Sequence, residues 1–333
     1  MSDSETRYDV VGIGNAIVDV IGRCDHAFLA RHGLGKGHMR LVDAEAAARL
    51  YAAMGPAVEI SGGSVANTIV GIASLGGRAA FIGKVADDEF GRIFAHDIRA
   101  SGVAFKTPFA RGSAPTARSL ILVTPDGERT MNTYLGVSPE LDDTALDPEL
   151  IRAGHVLYLE GYLFDRPEAK AAFYRAAEIA AAAGRRVALS LSDGFCVDRH
   201  RAEFLALIRE RIDILFANEG EVTSLYQTST YDEAARRACA DVRIAVLTRS
   251  AKGSAVFSGE EAVIVPADRV GPVVDTTGAG DLYAAGFLYG LTSGRSLETC
   301  ARLGSLAAAE IISHLGARPE TSLAALARER GLL

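Results

Sequence analysis

The sequence predicts an α/β protein, a three-layer α-β-α, doubly wound, mostly parallel sheet that carries a small inserted β-sheet. Three observations predict it. Short aliphatic runs alternate with longer helix-period segments, the rhythm of βαβ units. Most of those runs are apolar throughout rather than alternating, as strands are when helices cover both faces of their sheet. One stretch breaks the rhythm with two strand-like runs and no helix between them.

Taken in order, the strands are expected at Tyr8–Ile13, Ala79–Ile82, Val156–Leu159, Val187–Leu191, Ile212–Phe216 and Ile244–Leu247. Helical periodicity falls at Val65–Leu75, Glu89–Ala100, Pro167–Ala183, Arg199–Glu210 and Tyr231–Ala240. Ser254–Ile264 reads as a hairpin turning at Gly259-Glu260, and everything after it as helix. In the stretch that breaks the rhythm, Thr116–Val123 and Arg129–Leu135 flank Pro125-Asp126-Gly127-Glu128, a turn signal, and so form an antiparallel hairpin. Gly37–Val42 is a further short strand able to join it. The 333 residues then make one domain, with the small sheet assembled from about 14–45 and 105–137. Such a sheet would serve as a cover over a ligand or as a contact between two copies, and monomer and homodimer both stay open.

Composition narrows the function classes. Lys+Arg minus Asp+Glu is 35 − 42 = −7, and the pI is near 5.6. Nucleic acids and anionic membranes need the opposite balance, so neither is expected as a partner. Hydrophobic residues at 49% rule out disorder and provide a large core. The four cysteines, Cys24, Cys196, Cys239 and Cys300, lie far apart without a CxxC pair, which favours a reducing cytoplasm. Seven scattered histidines form no HxxxH or HExxH, which argues against a histidine metal site. Met1–Arg7 lacks the apolar stretch of a signal peptide, and no uncharged apolar run approaches the ~18 residues of a membrane span.

Two glycine motifs fail on inspection. Gly12-Ile13-Gly14-Asn15 follows the first strand, but Ile17 stands where GxGxxG needs its third glycine. Gly83-Lys84-Val85 resembles the end of a phosphate loop, but Arg78 replaces its first glycine and Val85 its Ser/Thr.

Asp275-Thr276-Thr277-Gly278-Ala279-Gly280-Asp281 carries more. It runs into the apolar segment Leu282–Leu291, with Thr276 or Thr277 as the expected cap. Its glycines let backbone approach a ligand. The first helical amides, having no intrahelical acceptor, point outward with the positive end of the macrodipole and suit a phosphoryl group. Asp281 in that first turn is either a dipole-complementing acid or a general base. A carboxylate beside an anion hole is electrostatically unfavourable unless a cation or a proton transfer justifies it, so the base is preferred. Ser61-Gly62-Gly63-Ser64-Val65-Ala66-Asn67 opens another helix, as a ligand turn or as a bare cap. Asp19 sits among apolar residues, where a carboxylate needs a partner such as vicinal sugar hydroxyls or a backbone turn. Asn218-Glu219-Gly220-Glu221 lies at a strand's carboxyl end, where open α/β sheets bind ligands, and Glu221 would hold Mg²⁺ through water or simply begin a helix. Thr248-Arg249-Ser250-Ala251-Lys252-Gly253 makes a further turn beside the same cleft.

Together and in this order, these motifs resemble the ribokinase-like superfamily of carbohydrate and nucleoside kinases, over nearly the whole chain. Asp275–Asp281 is similar to that family's DTxGAGD signature, Ser61–Gly91 to its other signature, and Asn218–Glu221 to its NxxE. Gly14–Asp19, Ser64 in place of the usual Lys of ribokinases, Leu159–Leu163 and Leu191–Phe195 look most like the bacterial adenosine kinase branch. The resemblance implies an ATP-dependent kinase acting on the 5′-hydroxyl of adenosine, or alternatively on ribose, fructose or another nucleoside. It implies Asp281 as catalytic base and Gly278, Ala279 and Gly280 as anion hole. Asn15, Asp19, Gly63 and Asn67 would bind ribose, with Ile17 and Leu135 packed on the base. Asn218, Thr248 and Gly253 would lie by ATP, and Glu221 by Mg²⁺, with K⁺ as a further cation that many members use. Ser250 departs from the glycine many members carry there and bears on the geometry of that loop. A catalytically silent nucleoside-binding regulator and a dehydrogenase are the rivals from other classes; the intact Asp281 and glycine turn disfavour the first and the broken GxGxxG the second.

Overall fold

The computed structural model describes residues 6–333, so the reading of Met1–Arg7 falls mainly outside it. The chain runs β1 (Tyr8–Ile13), β2 (Ile17–Arg23), α1 (His26–Arg31), β3 (Met39–Leu41), α2 (Ala44–Ala53), β4 (Ala57–Gly62), α3 (Ser64–Ser74), β5 (Ala79–Ile82), α4 (Glu89–Ala100) and β6 (Ala104–Phe105). The hairpin β7 (Ala117–Val123) and β8 (Arg129–Tyr134) follows, then α5 (Pro148–Arg152), β9 (Gly154–Glu160), α6 (Pro167–Ala182), β10 (Arg186–Ser190) and α7 (Gly194–Arg211). β11 (Ile214–Asn218), α8 (Glu219–Tyr226), α9 (Tyr231–Asp241), β12 (Ile244–Thr248), β13 (Ser254–Ser258) and β14 (Glu261–Val265) lead to three closing helices, α10 (Ala279–Thr292), α11 (Leu297–Ile311) and α12 (Leu323–Glu329).

The main sheet has nine strands in the order β14-β13-β12-β11-β10-β9-β1-β5-β6. From β12 to β6 every pairing is parallel; at the other edge β13 pairs antiparallel with both β12 and β14. Each face has its own core. Val10, Phe81, Tyr158 and Phe216 pack against α3, α4, α10 and α11 on one side. Val11, Ile13, Leu157 and Leu189 pack against α6 to α9 on the other. Strands covered on both faces have no polar side to alternate with, which is why they read as continuous apolar runs.

The small sheet has the order β3-β8-β7-β2-β4. β7 and β8 form the expected antiparallel hairpin, and β3 joins it parallel to β8. β4 extends the sheet beyond the segments anticipated for it, pairing with β2. Three other expectations change. Residues 266–278 and 312–322 are irregular rather than helical, as Pro266, Gly271 and Pro272 interrupt any helix there. α7 begins at Gly194 instead of Arg199 because Asp193 accepts the Cys196 amide at 2.7 Å, and it kinks at His200. α10 is capped by neither threonine: its N-cap is Gly278, left-handed at φ 78°, with no side chain bonding the first turn.

Candidate active site

Two helix N-termini meet at the carboxyl ends of the central strands. Asp281 stands in the first turn of α10, half-buried. Ser64 Oγ donates to its Oδ1 at 2.6 Å and Asn67 Nδ2 to its Oδ2 at 2.9 Å, both from the start of α3. Thr68 Oγ1 adds a bond of 3.0 Å to the Asp281 carbonyl. Burial raises the Asp281 carboxyl above its ordinary value; the Ser64 and Asn67 bonds and the Arg318 charge pull the other way. Asn67 Oδ1 is buried and, among the described residues, accepts no hydrogen bond. An orphaned buried acceptor beside a carboxylate is a place for a ligand hydroxyl.

The turn before Asp281 divides the expected anion hole. The Ala279 amide bonds back to Thr276 at 3.3 Å. No bond from the Gly278, Gly280 or Asp281 amide is found among the described residues, and these point out from the positive end of α10. A Cβ on Gly278 would lie 2.9 Å from that of Ala317, so this glycine answers to the fold. A Cβ on Gly280 would meet nothing within 4 Å. Asp275 Oδ1 accepts the Thr277 amide at 3.0 Å, and Oδ2 bonds the Arg129 guanidinium of β8. That ion pair is buried on both sides and ties the small sheet to the phosphate turn. Burial alone would raise the Asp275 carboxyl, but the Thr277 amide and Arg129 hold it below its ordinary value.

On the small sheet, Asp19 faces Ser119 and Ile60 in register, and Ile17 faces Ala117 and Gly62. With a period of two, Ile17 and Asp19 share one face. Leu135, half-buried, follows Tyr134 at the end of β8 and so reaches the row of Ala117. No hydrogen bond to the Asp19 carboxylate is found among the described residues, and burial pushes it up to about 6 against the pull of Arg318 and Arg129. Its Oδ2 would be 2.4 Å from a Cβ on Gly62, which accounts for that glycine. Gly63 sits at φ 107° with the Asn15 carbonyl 2.1 Å from where a Cβ would be, so it too serves the backbone. Asn15 is buried: Nδ2 donates to Glu160 at 2.7 Å and Oδ1 accepts from Ser138 at 2.8 Å, which makes it part of the floor.

Across the sheet, Asn218 and Thr248 are register partners at the ends of β11 and β12. Asn218 and Glu221 form a capping box at the start of α8, with Glu221 Oε2 accepting the Asn218 amide at 2.9 Å. Burial pushes Glu221 up to about 7, Asp193 and Asp281 adding to it. Gly253, at φ 87°, closes the turn after Thr248, where a Cβ would strike the Val265 carbonyl. Ser250 takes φ 49°, so the left-handed geometry expected of a glycine is kept by a serine.

Sequence reasoning missed several participants. Glu160, buried at the end of β9, accepts the Val65 amide at 3.0 Å and so fixes the N-terminus of α3; burial pushes it up to about 7. Leu159–Leu163 carries part of the resemblance, but as a segment, with no role attached to Glu160. Ser64 was noted without its bond to Asp281. Arg129 and Arg318 reach the site from distant segments with no local motif. Tyr162 and Phe195, 38% and 77% exposed, follow β9 and β10 at the same end of the sheet. The Tyr162 phenol feels Asp193, Asp281, Glu160 and Glu221 and is raised by burial and those charges.

The acids suit a hard cation. The charges of Asp193 and Asp281 add to the cost of ionising Glu221, and Mg²⁺ is commonly held by one or two carboxylates plus phosphates rather than by a protein cage. No group of three or more His, Cys, Asp or Glu arranged to hold a metal is found among the described residues.

Residues 51–323 match the family described as pfkB family carbohydrate kinase. The chain is 52% identical to a probable sugar kinase protein of Rhizobium etli CFN 42, covering 98% of this chain and 100% of that one at a TM-score of 0.90. It is 55% identical to the adenosine kinase of Sinorhizobium meliloti, covering 97% and 99% at a TM-score of 0.89. It is also 32% identical over 247 residues to a probable fructokinase-6, chloroplastic, of Arabidopsis thaliana, a match over 71% of this chain and 63% of that protein's length. The glycine turn on α10, the acid in its first turn and the ribokinase-like α/β fold agree with these matches: the chain is a phosphotransferase and belongs to the pfkB family of carbohydrate kinases.

Proposed function

We propose that this kinase transfers the γ-phosphoryl group of ATP to the 5′-hydroxyl of adenosine, giving AMP and ADP in cytoplasmic purine salvage. The observation that carries the chemistry is Asp281, a half-buried carboxylate held on both oxygens by Ser64 and Asn67 beside the open amides of α10. In-line displacement needs a positioned alcohol, charge neutralisation and removal of one proton. Asp19, with its unbonded carboxylate, would accept the vicinal ribose hydroxyls, and Asn67 Oδ1 a further one. The 5′-oxygen then attacks the γ-phosphorus as the bond to the β,γ-bridging oxygen breaks, and its proton passes to Asp281. The Gly280 and Asp281 amides stabilise the charge on the moving phosphoryl group. Mg²⁺, held through Glu221 and Asn218, would neutralise the donor's phosphates. Asn218, Thr248 and Gly253 would border ATP. The small sheet, tied down through Arg129, would close over the nucleoside with Ile17 and Leu135 on the base and exclude water.

Tyr162 and Phe195, exposed aromatics that follow β9 and β10, would offer apolar surface to a nucleobase. The second reading, a kinase of ribose, fructose or another ketose, is favoured by the similarity to the Rhizobium etli and Arabidopsis thaliana proteins. Competing turnover on adenosine, inosine, ribose and fructose tests the two, in K⁺ and in tetramethylammonium so that a monovalent-cation requirement is read at once. Adenosine should lead in kcat/KM by orders of magnitude; a preference for a free sugar ends the nucleoside reading. In the same assay Asp281→Asn should lose about 10²–10⁴ in kcat with substrate binding retained, and full turnover by that variant removes Asp281 as the base.

A further inference from the structure

Arg318 lies in the irregular segment between α11 and α12, in Gly316-Ala317-Arg318-Pro319, a stretch that no motif marks. Its guanidinium crosses to the turn that opens α3. Nη1 donates to the Ala66 carbonyl at 3.0 Å; Nη2 donates to Ser61 Oγ at 2.9 Å and also bonds the Ser61 carbonyl. These two carbonyls bracket Gly62-Gly63-Ser64, so the fork clamps the segment that delivers Ser64 and Asn67 to Asp281. Ser61 is fixed from its other side by Asp97 of α4, which accepts its amide at 2.8 Å and its hydroxyl at 2.6 Å.

The charge of Arg318 is placed as deliberately as its donors. No ion pair between Arg318 and a carboxylate is found among the described residues, yet Asp19, Asp97 and Asp281 all act on it, and its Nε is buried without a partner. Removal from water is unfavourable for a guanidinium, and opposite charge nearby offsets it. Asp281 is faced by acids on several sides: its charge bears on Asp19 from β2, Glu160 from β9 and Glu221 from α8, and on the phenols of Tyr158 and Tyr162. Arg129 bears on Asp19, whereas Arg318 bears on both Asp19 and Asp281.

We propose that Arg318 is a positioning residue for phosphoryl transfer: its fork holds the Ser61–Asn67 turn, so that Ser64 and Asn67 meet Asp281, and it brings a positive charge to the acids of that cleft. This rests on reading Asp281 as the base and Asp19 as a nucleoside ligand. The two functions separate in two variants. Arg318→Lys keeps the charge and loses the fork; Arg318→Gln keeps a donor and loses the charge. Both should raise the KM for adenosine several-fold. In the pH profile of kcat/KM, the acid limb should stay at the wild-type position in Arg318→Lys. In Arg318→Gln it should move up by about one pH unit, because losing a nearby cation makes both carboxylates harder to ionise. Thermal melts of each variant run alongside. Coincident limbs in the two variants overturn the inference, as does a Lys variant whose limb is displaced from wild type. Asp281→Asn serves as the control: if it retains turnover, the reading of the base has failed; if it is inactive while the limbs coincide, only the role of Arg318 has failed.

Discussion

Ser250 adopts φ 49°, a left-handed conformation that costs an L-residue with a Cβ about 1–2 kcal/mol. Glycine removes that strain but widens the unfolded ensemble, at about 0.4–1 kcal/mol. The balance predicts that Ser250→Gly raises Tm by one or two degrees with the KM for ATP unchanged; a lower Tm in a calorimetric melt would mean the serine hydroxyl stabilises the turn in some other way. The position illustrates what can be read at this scale. The departure from glycine was visible in the sequence, whereas the backbone angle that makes it matter was not. Asp281 was legible because its glycines and its helix lie within a few residues of it. Arg318 was not, since it meets Ser61 across 257 residues and Arg129 meets Asp275 across 146, and only the folded chain brings those together. The partners of Asn15 were hidden for a related reason: its side chain is engaged by Glu160 and Ser138, both remote in sequence.

α10 shows that glycines in one helix answer to different demands. A Cβ at Gly286 would lie 2.3 Å from the Leu303 carbonyl, so α10 and α11 approach this closely only without a side chain there. At Gly280, in the first turn, the same atom would meet nothing within 4 Å. Gly286→Ala should therefore cost about 1–3 kcal/mol through overpacking and lower Tm by several degrees. Gly280→Ala should leave Tm unchanged or slightly higher, alanine being the better helix former, yet lose at least about tenfold in kcat/KM for ATP by crowding the phosphoryl group. Melts and kinetics on the pair decide it: an active Gly280→Ala enzyme removes the anion hole from this turn. Elements were legible where one local signal sufficed. The buried parallel strands announced themselves as apolar runs. β2 and β4 did not: β2 buries Val18, Val20 and Gly22 on one face and mixes Ile17 and Ile21 with Asp19 and Arg23 on the other, and β4 carries Glu59 and ends at Gly62. α1 and α2 start on Asp25 and Asp43, each accepting an amide three residues on, but six residues of α1 are too few to establish a helical period.

Across the whole molecule, the site concentrates carboxylates that the rest of the surface keeps apart. Exposed acids elsewhere, such as Asp126 with Lys36 and Glu219 with Arg249, are held below their ordinary values by those partners. They contribute modestly, being screened by solvent, and what they contribute is lost as the pH falls through 4 and below. Asp19, Glu160, Glu221 and Asp281 are raised instead, chiefly by burial, to about 6 for Asp19 and about 7 for the two glutamates. For these the folded chain binds more protons than the unfolded chain between about pH 4 and pH 7, so stability falls as pH rises through that window. The ligand-free enzyme should accordingly melt highest near pH 5 and lose a few degrees of Tm between pH 5.5 and pH 8. Asp19→Asn should remove part of that loss, since no hydrogen bond to that carboxylate is found among the described residues and the amide keeps its shape. Saturating adenosine should also shrink it, by supplying hydroxyls to the ionised acid. A Tm that is flat or rising from pH 5.5 to pH 8 would show that the acids ionise without penalty. The charge arrangement attributed to the cleft, and the need for Arg318 within it, would then be wrong.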